Sequence, residues 1–135
     1  MMHFSIHTTS RHPIPRWPYE KIAHSILGPH YELSLQFVGT TTARTLNQTY
    51  RQKSYAPDVL AFPLTDTVGQ IIITPIVTTK KARAFNMTPR HYIGYLFIHA
   101  CLHLRGYDHG ARMDRAERKY CAQFAITHPQ DCEVT

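Results

Sequence analysis

The stretch TPRHYIGYLFIHACLHLRGYDHG, residues 88–110, predicts the best-defined helix of the chain. Thr88 is a residue type that caps helix N-termini, and Pro89 suits the first helical position. Gly106 suits the position just past a helix C-terminus, where the backbone turns left-handed. The apolar run between these signals predicts a largely buried helix over residues 89–105.

Three histidines in this stretch have the spacing of metal ligands. On a helix, His99 and His103 lie about 40° apart around the axis and about 6 Å apart along it, so both rings reach one point. Gly106 ends the helix and lets the chain turn back, which brings His109 to the same point. Three imidazoles hold a zinc-type ion and leave its fourth position open for water. The pattern therefore predicts one ion per chain, which is zinc, nickel or another divalent transition metal.

The sequence leaves alternatives open for the histidine pair and for Asp108. An isolated HxxxH pair is more often two satisfied core histidines, and only the third histidine after the glycine favours ligation. Asp108 orients a ligand imidazole, binds the metal's water or shapes the turn, and the sequence does not rank these roles. Cys101 lies about 200° from His99 around the helix and is expected in the core. Three other histidines have no ligand spacing and are predicted to be ordinary surface or loop residues, namely His12, His91 and His128.

The segments around the central helix predict four strands and four further helices. Strands are expected where apolar residues alternate or run together, at residues 3–9, 31–38, 58–64 and 69–74. The last two strands should form a hairpin or a close antiparallel pair. Helices are expected at residues 16–28, from Thr40 or Thr41 to about Tyr50, at about 76–85 and at about 111–126. We therefore predict a single α+β domain over residues 1–135, with about four strands in a mixed sheet, about five helices, and the metal site on one helix and the following loop.

The composition indicates one soluble domain, since 43% of the 135 residues are hydrophobic. The longest apolar run, residues 92–104, has 13 residues, well short of the about 20 that span a bilayer. The amino terminus has neither the basic nor the apolar segment of a secretory signal, so we expect a cytoplasmic protein. The cysteines form no CxxC pair and are expected to be free thiols, mostly in the core, namely Cys101, Cys121 and Cys132.

The charge pattern predicts an anionic partner. The formal net charge is +6, and the chain between Leu33 and Tyr107 has eight lysines or arginines but only two acids, Asp58 and Asp66. Nucleic acid is the commonest such partner for a small basic protein. A solvated basic face without any ligand is the alternative.

A zinc protease is one alternative for the histidine pattern. Zincin proteases place a glutamate directly after the first histidine as general base, and Ala100 occupies that position here. Proteolysis is therefore not expected. A metallohydrolase acting on a small molecule or a peptide is disfavoured by the same missing glutamate and by the basic face.

Two motifs resemble the YbeY family of metal-dependent endoribonucleases. HACLHLRGYDH, residues 99–109, is similar to the family signature HGxLHLxGYDH. LNQTYRQKSYAPDVLAFP, residues 46–63, resembles the family segment LNxxYRxKDxxTDVLSFP, and GQIIIT, residues 69–74, stands where the family has GDI followed by apolar residues. The motifs and elements occur in the family's order, so the resemblance covers most of the chain from about Tyr31 onward.

The resemblance implies cleavage of single-stranded RNA in ribosomal RNA maturation, notably at the 3′ end of the small-subunit RNA, and in ribosome quality control. It implies a metal on His99, His103 and His109 and an active-site role for Arg51, so Arg51 and His99 are the expected catalytic residues. The expected partners are single-stranded RNA or ribosomal RNA and the ribosome or its assembly factors, without a membrane. The oligomeric state stays open.

Further residues are expected to support these roles. Lys53 and Arg105 are expected to contact phosphates without reading sequence. Asp58 is expected, like Asp108, to support the ligands, or else to have a structural role near the site.

Several positions depart from the family motifs. The family usually has Asp, Thr and Ser where this chain has Ser54, Pro57 and Ala61, an Asp in place of Gln70, and a Gly in place of Ala100. All three metal ligands are kept. The departures leave an alternative function: a weakly catalytic or non-catalytic ribosome-assembly or RNA-binding factor whose metal mainly stabilises the fold.

Overall fold

The alternating apolar segments form one mixed sheet, as predicted. The computed structural model describes residues 2–131, and its strands are β1 (His3–Thr8), β2 (Glu32–Phe37), β3 (Val59–Thr65) and β4 (Val68–Ile73). The strand order is β1-β2-β4-β3, in which β2 is parallel to both β1 and β4, and β3 is antiparallel to β4. The predicted close antiparallel pair is therefore confirmed, and β3 is an edge strand.

Five helices complete the α+β domain. They are α1 (Tyr19–Leu27), α2 (Thr40–Arg51), α3 (Pro75–Ala84), α4 (Pro89–Arg105) and α5 (Ala111–Gln123), followed by a short 3₁₀ turn at Pro129–Asp131. Helix α4 has the predicted bounds, because the Thr88 hydroxyl accepts a hydrogen bond from the His91 N–H (3.2 Å) and Gly106 is left-handed, with φ of 107°. No helix among the described residues is both long and apolar enough to cross a membrane.

Three helix boundaries differ from the sequence prediction. Helix α1 begins at Tyr19, three residues after the predicted start at residue 16, with Pro18 at its N-cap. Neither Thr40 nor Thr41 caps α2; the extended Gly39 occupies the N-cap and Thr40 is the first helical residue. A glycine at this position leaves the first amide groups without a side-chain acceptor, and packing of the helix supplies the stability instead. Helix α5 ends at Gln123, three residues before the predicted end, because Ala125 adopts a left-handed conformation with φ of 56°.

The main core lies between one face of the sheet and helices α1, α4 and α5. Side chains from β2 and β4, such as Leu35 and Ile71, are fully buried there against Phe97 of α4. A smaller core on the opposite face packs α2 against β3 and β4 through Ala43 and Leu60. Two cysteines are buried free thiols as predicted, namely Cys101 and Cys121, while Cys132 lies outside the described residues.

The C-terminal end of α4 lies very close to the sheet at Gly69. A Cβ atom at this position would stand 2.4 Å from the Tyr31 hydroxyl and 3.1 Å from both methyl groups of Leu104. The Tyr31 ring is itself buried and has little room to move. Gly69 therefore allows the last turn of α4, which carries His103, to sit directly on β4.

We predict that Gly69→Ala lowers the free energy of unfolding by about 1–3 kcal/mol, because the added methyl group overpacks this contact. The control is Gly39→Ala, where a Cβ meets nothing within 4 Å and φ is −82°. Urea denaturation of both variants measures the effect. Equal denaturation midpoints for the two variants would contradict the close approach.

Candidate metal centre and active site

The three predicted ligand histidines lie together at the C-terminal end of α4. His99 and His103 project from successive turns, and the loop after Gly106 returns His109 to them. One nitrogen from each ring lies within 4.8 Å of the other two, so the three residues could hold one metal ion. Sequence spacing alone predicted this convergence, and the geometry agrees with it.

Hydrogen bonds fix which nitrogen of each helical histidine faces the centre. His99 Nδ1 lies 2.5 Å from the Glu117 carboxylate, and His103 Nδ1 lies 3.1 Å from the Tyr107 carbonyl oxygen. Because both partners are acceptors, each Nδ1 carries the proton and donates. The Nε2 atoms of both rings therefore present lone pairs to the same point, which is the form that binds a metal.

The two facing Nε2 atoms are arranged as ligands of a metal ion and not as partners in a hydrogen bond. The Nε2 atoms of His99 and His103 are 3.0 Å apart, and two lone pairs at this distance repel. Ligand nitrogens about 2.0–2.1 Å from a tetrahedral zinc are about 3.3 Å apart, which is close to the observed separation. Burial, followed by the nearby His99, lowers the pKa of His103 and keeps its imidazole neutral for ligation.

Glu117 on α5 supports the site and was not identified from the sequence. Its side chain is buried, with one carboxylate oxygen bound to His99 and the other 3.1 Å from His128 Nε2. Burial alone raises the pKa of Glu117, but the hydrogen bonds from the two histidines outweigh burial and hold it below its usual value. The only sequence signal was one acid on the buried side of the last helix, between Met113 and Tyr120.

His128 is not the ordinary surface or loop residue that the sequence predicted. It is only 3% exposed, and Tyr95 packs edge-on against its ring. Its Nδ1 accepts a hydrogen bond from the Gln130 N–H (3.2 Å), so its Nε2 carries the proton and donates to Glu117. The prediction failed because tertiary packing of the chain after α5, rather than ligand spacing, buries this ring.

A second group of potential ligands lies next to the first. Asp114, Glu117 and His128 also bring ligand atoms within 4.8 Å of one another. The hydrogen bond that Gln130 donates to His128 leaves the proton on the nitrogen that would have to bind the metal. Glu117 and His128 are therefore better described as a hydrogen-bonded support of His99 than as part of a second metal site.

The end of α2 positions Arg51 beside the histidines. Gln52 ends the helix in the left-handed conformation (φ 58°), and the following loop folds back onto α2. Asn47, which is buried, donates from Nδ2 to the Tyr55 carbonyl oxygen (2.9 Å) and closes this loop. Arg51 thereby lines the same cleft as the histidines. Sequence reasoning identified Arg51 but missed Asn47.

The cleft is an open space of about 300 Å³ between α4 and edge strand β3. Arg51 and the three histidines supply its polar lining, while Val59, Ala61 and Ala100 supply apolar lining. Two departures from the family motifs, Ala61 and Ala100, therefore lie at the site itself. Apolar walls lower the local dielectric and strengthen the interaction of the cationic groups with an anion.

The other predicted site residues are not among those that line the cleft. Asp58 bonds to Tyr92 (3.1 Å) and Lys81 (3.3 Å), so it joins the start of β3 to α3 and α4 instead of supporting a ligand histidine. Asp108 is exposed in the loop beside His109. Two cations remain exposed, one after α2 and one at the end of α4, namely Lys53 and Arg105.

Comparison with known proteins agrees with the fold and the motifs. The family model described as Endoribonuclease YbeY matches residues 7–125. A relative named Endoribonuclease YbeY from Thiobacillus denitrificans is 31% identical over 130 residues, which cover 89% of this chain and 85% of that protein. One of the same name from Alkaliphilus metalliredigens is 32% identical over 117 residues, covering 78% and 76%. The solution structure of a Thermotoga maritima protein shares the fold, with a TM-score of 0.62, 23% identity and coverage of 97% and 96%.

The fold and the site define an α+β protein in which three histidine nitrogens converge beside an arginine. The chain belongs to the endoribonuclease YbeY family. The family that the two motifs indicated is therefore confirmed, and the match covers residues 7–125.

We predict that Glu117→Gln weakens metal retention by about 10- to 100-fold, because a glutamine cannot accept hydrogen bonds from both His99 and His128. The test is competition with a chelator followed by metal analysis. Glu20→Gln, the same change at an exposed position of α1, is the control and should retain metal like the wild type. Equal retention by the two variants would contradict a supporting role for Glu117.

Proposed function

We propose that this protein is a metal-dependent endoribonuclease that cleaves single-stranded RNA at the cleft between α4 and β3. The observation that carries the proposal is the position of Arg51 and three convergent histidines around one open space. RNA is the substrate because the curated relatives are named endoribonucleases and because the chain carries a net charge of +6.

The three histidines are the proposed ligands, and zinc is the proposed ion. Three neutral imidazoles form the donor set of catalytic zinc sites, where the bound ion activates water or polarises a phosphoryl oxygen. Nickel or another divalent transition metal fits the same nitrogen donors. One ion per chain follows, because the adjacent group around Glu117 is occupied by its own hydrogen bonds.

Arg51 is the proposed clamp for the scissile phosphate. Its guanidinium is a planar fork of donors that matches two phosphate oxygens, and it stabilises the negative charge that develops during cleavage. The apolar walls at Val59, Ala61 and Ala100 exclude water from one side of the cleft and strengthen this interaction. Glu117 is not free to act as a base, because both of its oxygens already accept hydrogen bonds.

The finer role that we propose is maturation of ribosomal RNA, notably at the 3′ end of the small-subunit RNA, and ribosome quality control. Membership of the endoribonuclease YbeY family supports this role. With it we propose a cytoplasmic protein in contact with the ribosome or its assembly factors. Lys53 and Arg105 are proposed to contact phosphates beyond the scissile one.

We predict that Arg51→Ala lowers kcat for single-stranded RNA by about 10²- to 10³-fold, because it removes the donor fork at the phosphate. Arg44→Ala is the matched control, since Arg44 is exposed on the same helix and carries the same charge. Both variants and the wild type are expressed in a host that lacks its own copy of the nuclease, and metal content is quantified before each assay. Equal rates for the two variants would contradict the role of Arg51.

Metal removal separates the enzyme from the assembly-factor alternative. We expect His99→Ala and chelated wild type to lose both RNA cleavage and part of their thermal stability, because bound metal stabilises only the folded state. A wild type that holds one metal ion, melts higher than His99→Ala and still cuts no RNA would support the non-catalytic factor instead. Cleavage of small phosphodiesters but not RNA would indicate a different hydrolase.

A further inference from the structure

We call the cleft that Arg51 and the three histidines line the metal cleft. A second surface, with strong positive charge, lies near it. The end of α4 and the first turns of α5 border an open pocket of about 320 Å³. Four cationic and two tyrosine side chains line it, together with Ala116, and these are Arg105, Arg112, Arg115, Lys119, Tyr107 and Tyr120. We call this surface the α5 basic pocket.

The cations of the α5 basic pocket converge on one side of the helix. Arg112, Arg115 and Lys119 are at positions i, i+3 and i+7, which lie within about 60° around a helix axis and extend about 10 Å along it. Arg105 joins them from α4, with one guanidinium nitrogen 3.4 Å from the Tyr120 hydroxyl. The buried face of α5 is elsewhere, so these charges do not serve the core.

None of these charges is neutralised by a neighbour within residues 2–131. The lysine and arginine ion pairs in that part of the chain are Lys81 with Asp58 and Arg118 with Asp131. The guanidinium carbons of Arg105 and Arg112 lie 6.0 and 5.4 Å from the centre of the Tyr107 ring instead. Four like charges around one pocket repel one another, and an anionic ligand relieves that repulsion.

The α5 basic pocket and the metal cleft both adjoin an intermediate cleft. This cleft shares Arg105, Tyr107 and Arg112 with the pocket and shares His109 with the metal cleft. The two surfaces are therefore neighbours, and the way from one to the other leads past His109. The cations of α5 extend over about 10 Å, whereas successive phosphates along one strand of a duplex rise by about 3.4 Å. The surface therefore has room for more than one phosphate.

We propose that the α5 basic pocket is a phosphate-binding subsite for the RNA strand that leaves the metal cleft. The inference rests on the proposed function, because it takes RNA as the substrate of that cleft. The subsite holds the backbone through charge and is indifferent to base sequence. It extends the bound RNA beyond the scissile phosphate on one side only, because the cations lie on the His109 side of the metal.

An anionic membrane is the less suitable ligand for this surface. Membrane-surface helices combine basic residues with exposed apolar side chains that enter the lipid. The exposed large apolar side chains of the described residues lie on other elements, namely Ile6, Tyr50, Tyr55, Leu64 and Phe85. The tyrosines of the α5 basic pocket are instead partly or fully buried and lie against cations.

The test compares Arg115→Gln/Lys119→Gln with the control Lys80→Gln/Arg83→Gln, which removes the same charge from exposed positions of α3. Metal-loaded proteins are titrated with labelled 2′-O-methyl oligouridines of about 4 and about 16 nucleotides, which cover the range of single-strand site sizes. Fluorescence anisotropy at several salt concentrations gives the affinity and its salt dependence. Cleavage of an unmodified RNA of the shorter length is measured in parallel for the wild type.

We expect the wild type and the α3 variant to bind the longer oligonucleotide more tightly, and the α5 variant to lose several-fold of that gain. The slope of log affinity against log salt should fall by about 1.4 in the α5 variant, since each single-strand phosphate contact contributes about 0.7. Equal length gains and salt slopes in the two variants would overturn the subsite. So would loss of binding to phosphatidylserine vesicles in the α5 variant with RNA binding unchanged.

The parallel cleavage assay keeps the two proposals distinguishable. A wild type that binds the short oligonucleotide but does not cut the short RNA at saturating protein concentration, and whose binding of the longer RNA depends on the α5 cations, contradicts the nuclease and supports the subsite. A wild type that cuts the short RNA, with no effect of the α5 variant on the longer RNA, supports the nuclease and overturns the subsite.

Discussion

Packing on several sides holds helix α4 in place. This helix contacts α1, α3 and α5 and also strands β3 and β4, so it cannot rotate or slide without opening the core on several sides. Because His99 and His103 project from this helix, the core fixes the positions of two of the three convergent histidine nitrogens. The same two residues on a lone surface helix would keep their spacing but lose this rigidity.

A chain of hydrogen bonds extends this rigidity from the core to the chain after α5. The Gln130 amide orients His128, His128 and His99 share the Glu117 carboxylate, and His99 presents its free nitrogen to the centre. Both carboxylate oxygens of Glu117 and both ring nitrogens of His128 have partners, which makes the burial of these two side chains tolerable. A small domain can in this way keep a carboxylate and an imidazole out of water beside an apolar core.

The positive charges of the protein are arranged around this rigid centre instead of being part of it. Arg51 lines the metal cleft from the end of α2, and the cations of the α5 basic pocket lie beyond His109. Both sets sit on exposed helix surfaces, so they add attraction for an anionic chain at little cost to folding. Ala61, where the family usually has Ser, removes a hydroxyl from the wall of the cleft, and Ala100, where the family usually has Gly, adds a methyl group. Both departures leave the three convergent histidines in place.

Local patterns in the sequence were sufficient to predict the four strands, the five helices, the bounds of α4 and the convergence of His99, His103 and His109, because helix capping and i, i+4 spacing are local properties of the chain. The sequence also indicated Arg51, through the resemblance of the motif around it. Packing between distant segments set the contacts by which Glu117 and His128 support His99 and by which Asp58 instead bonds to Tyr92 and Lys81. These contacts join residues distant in sequence, and their partners are set by how α5 and the chain after it pack against α4, which no local pattern encodes.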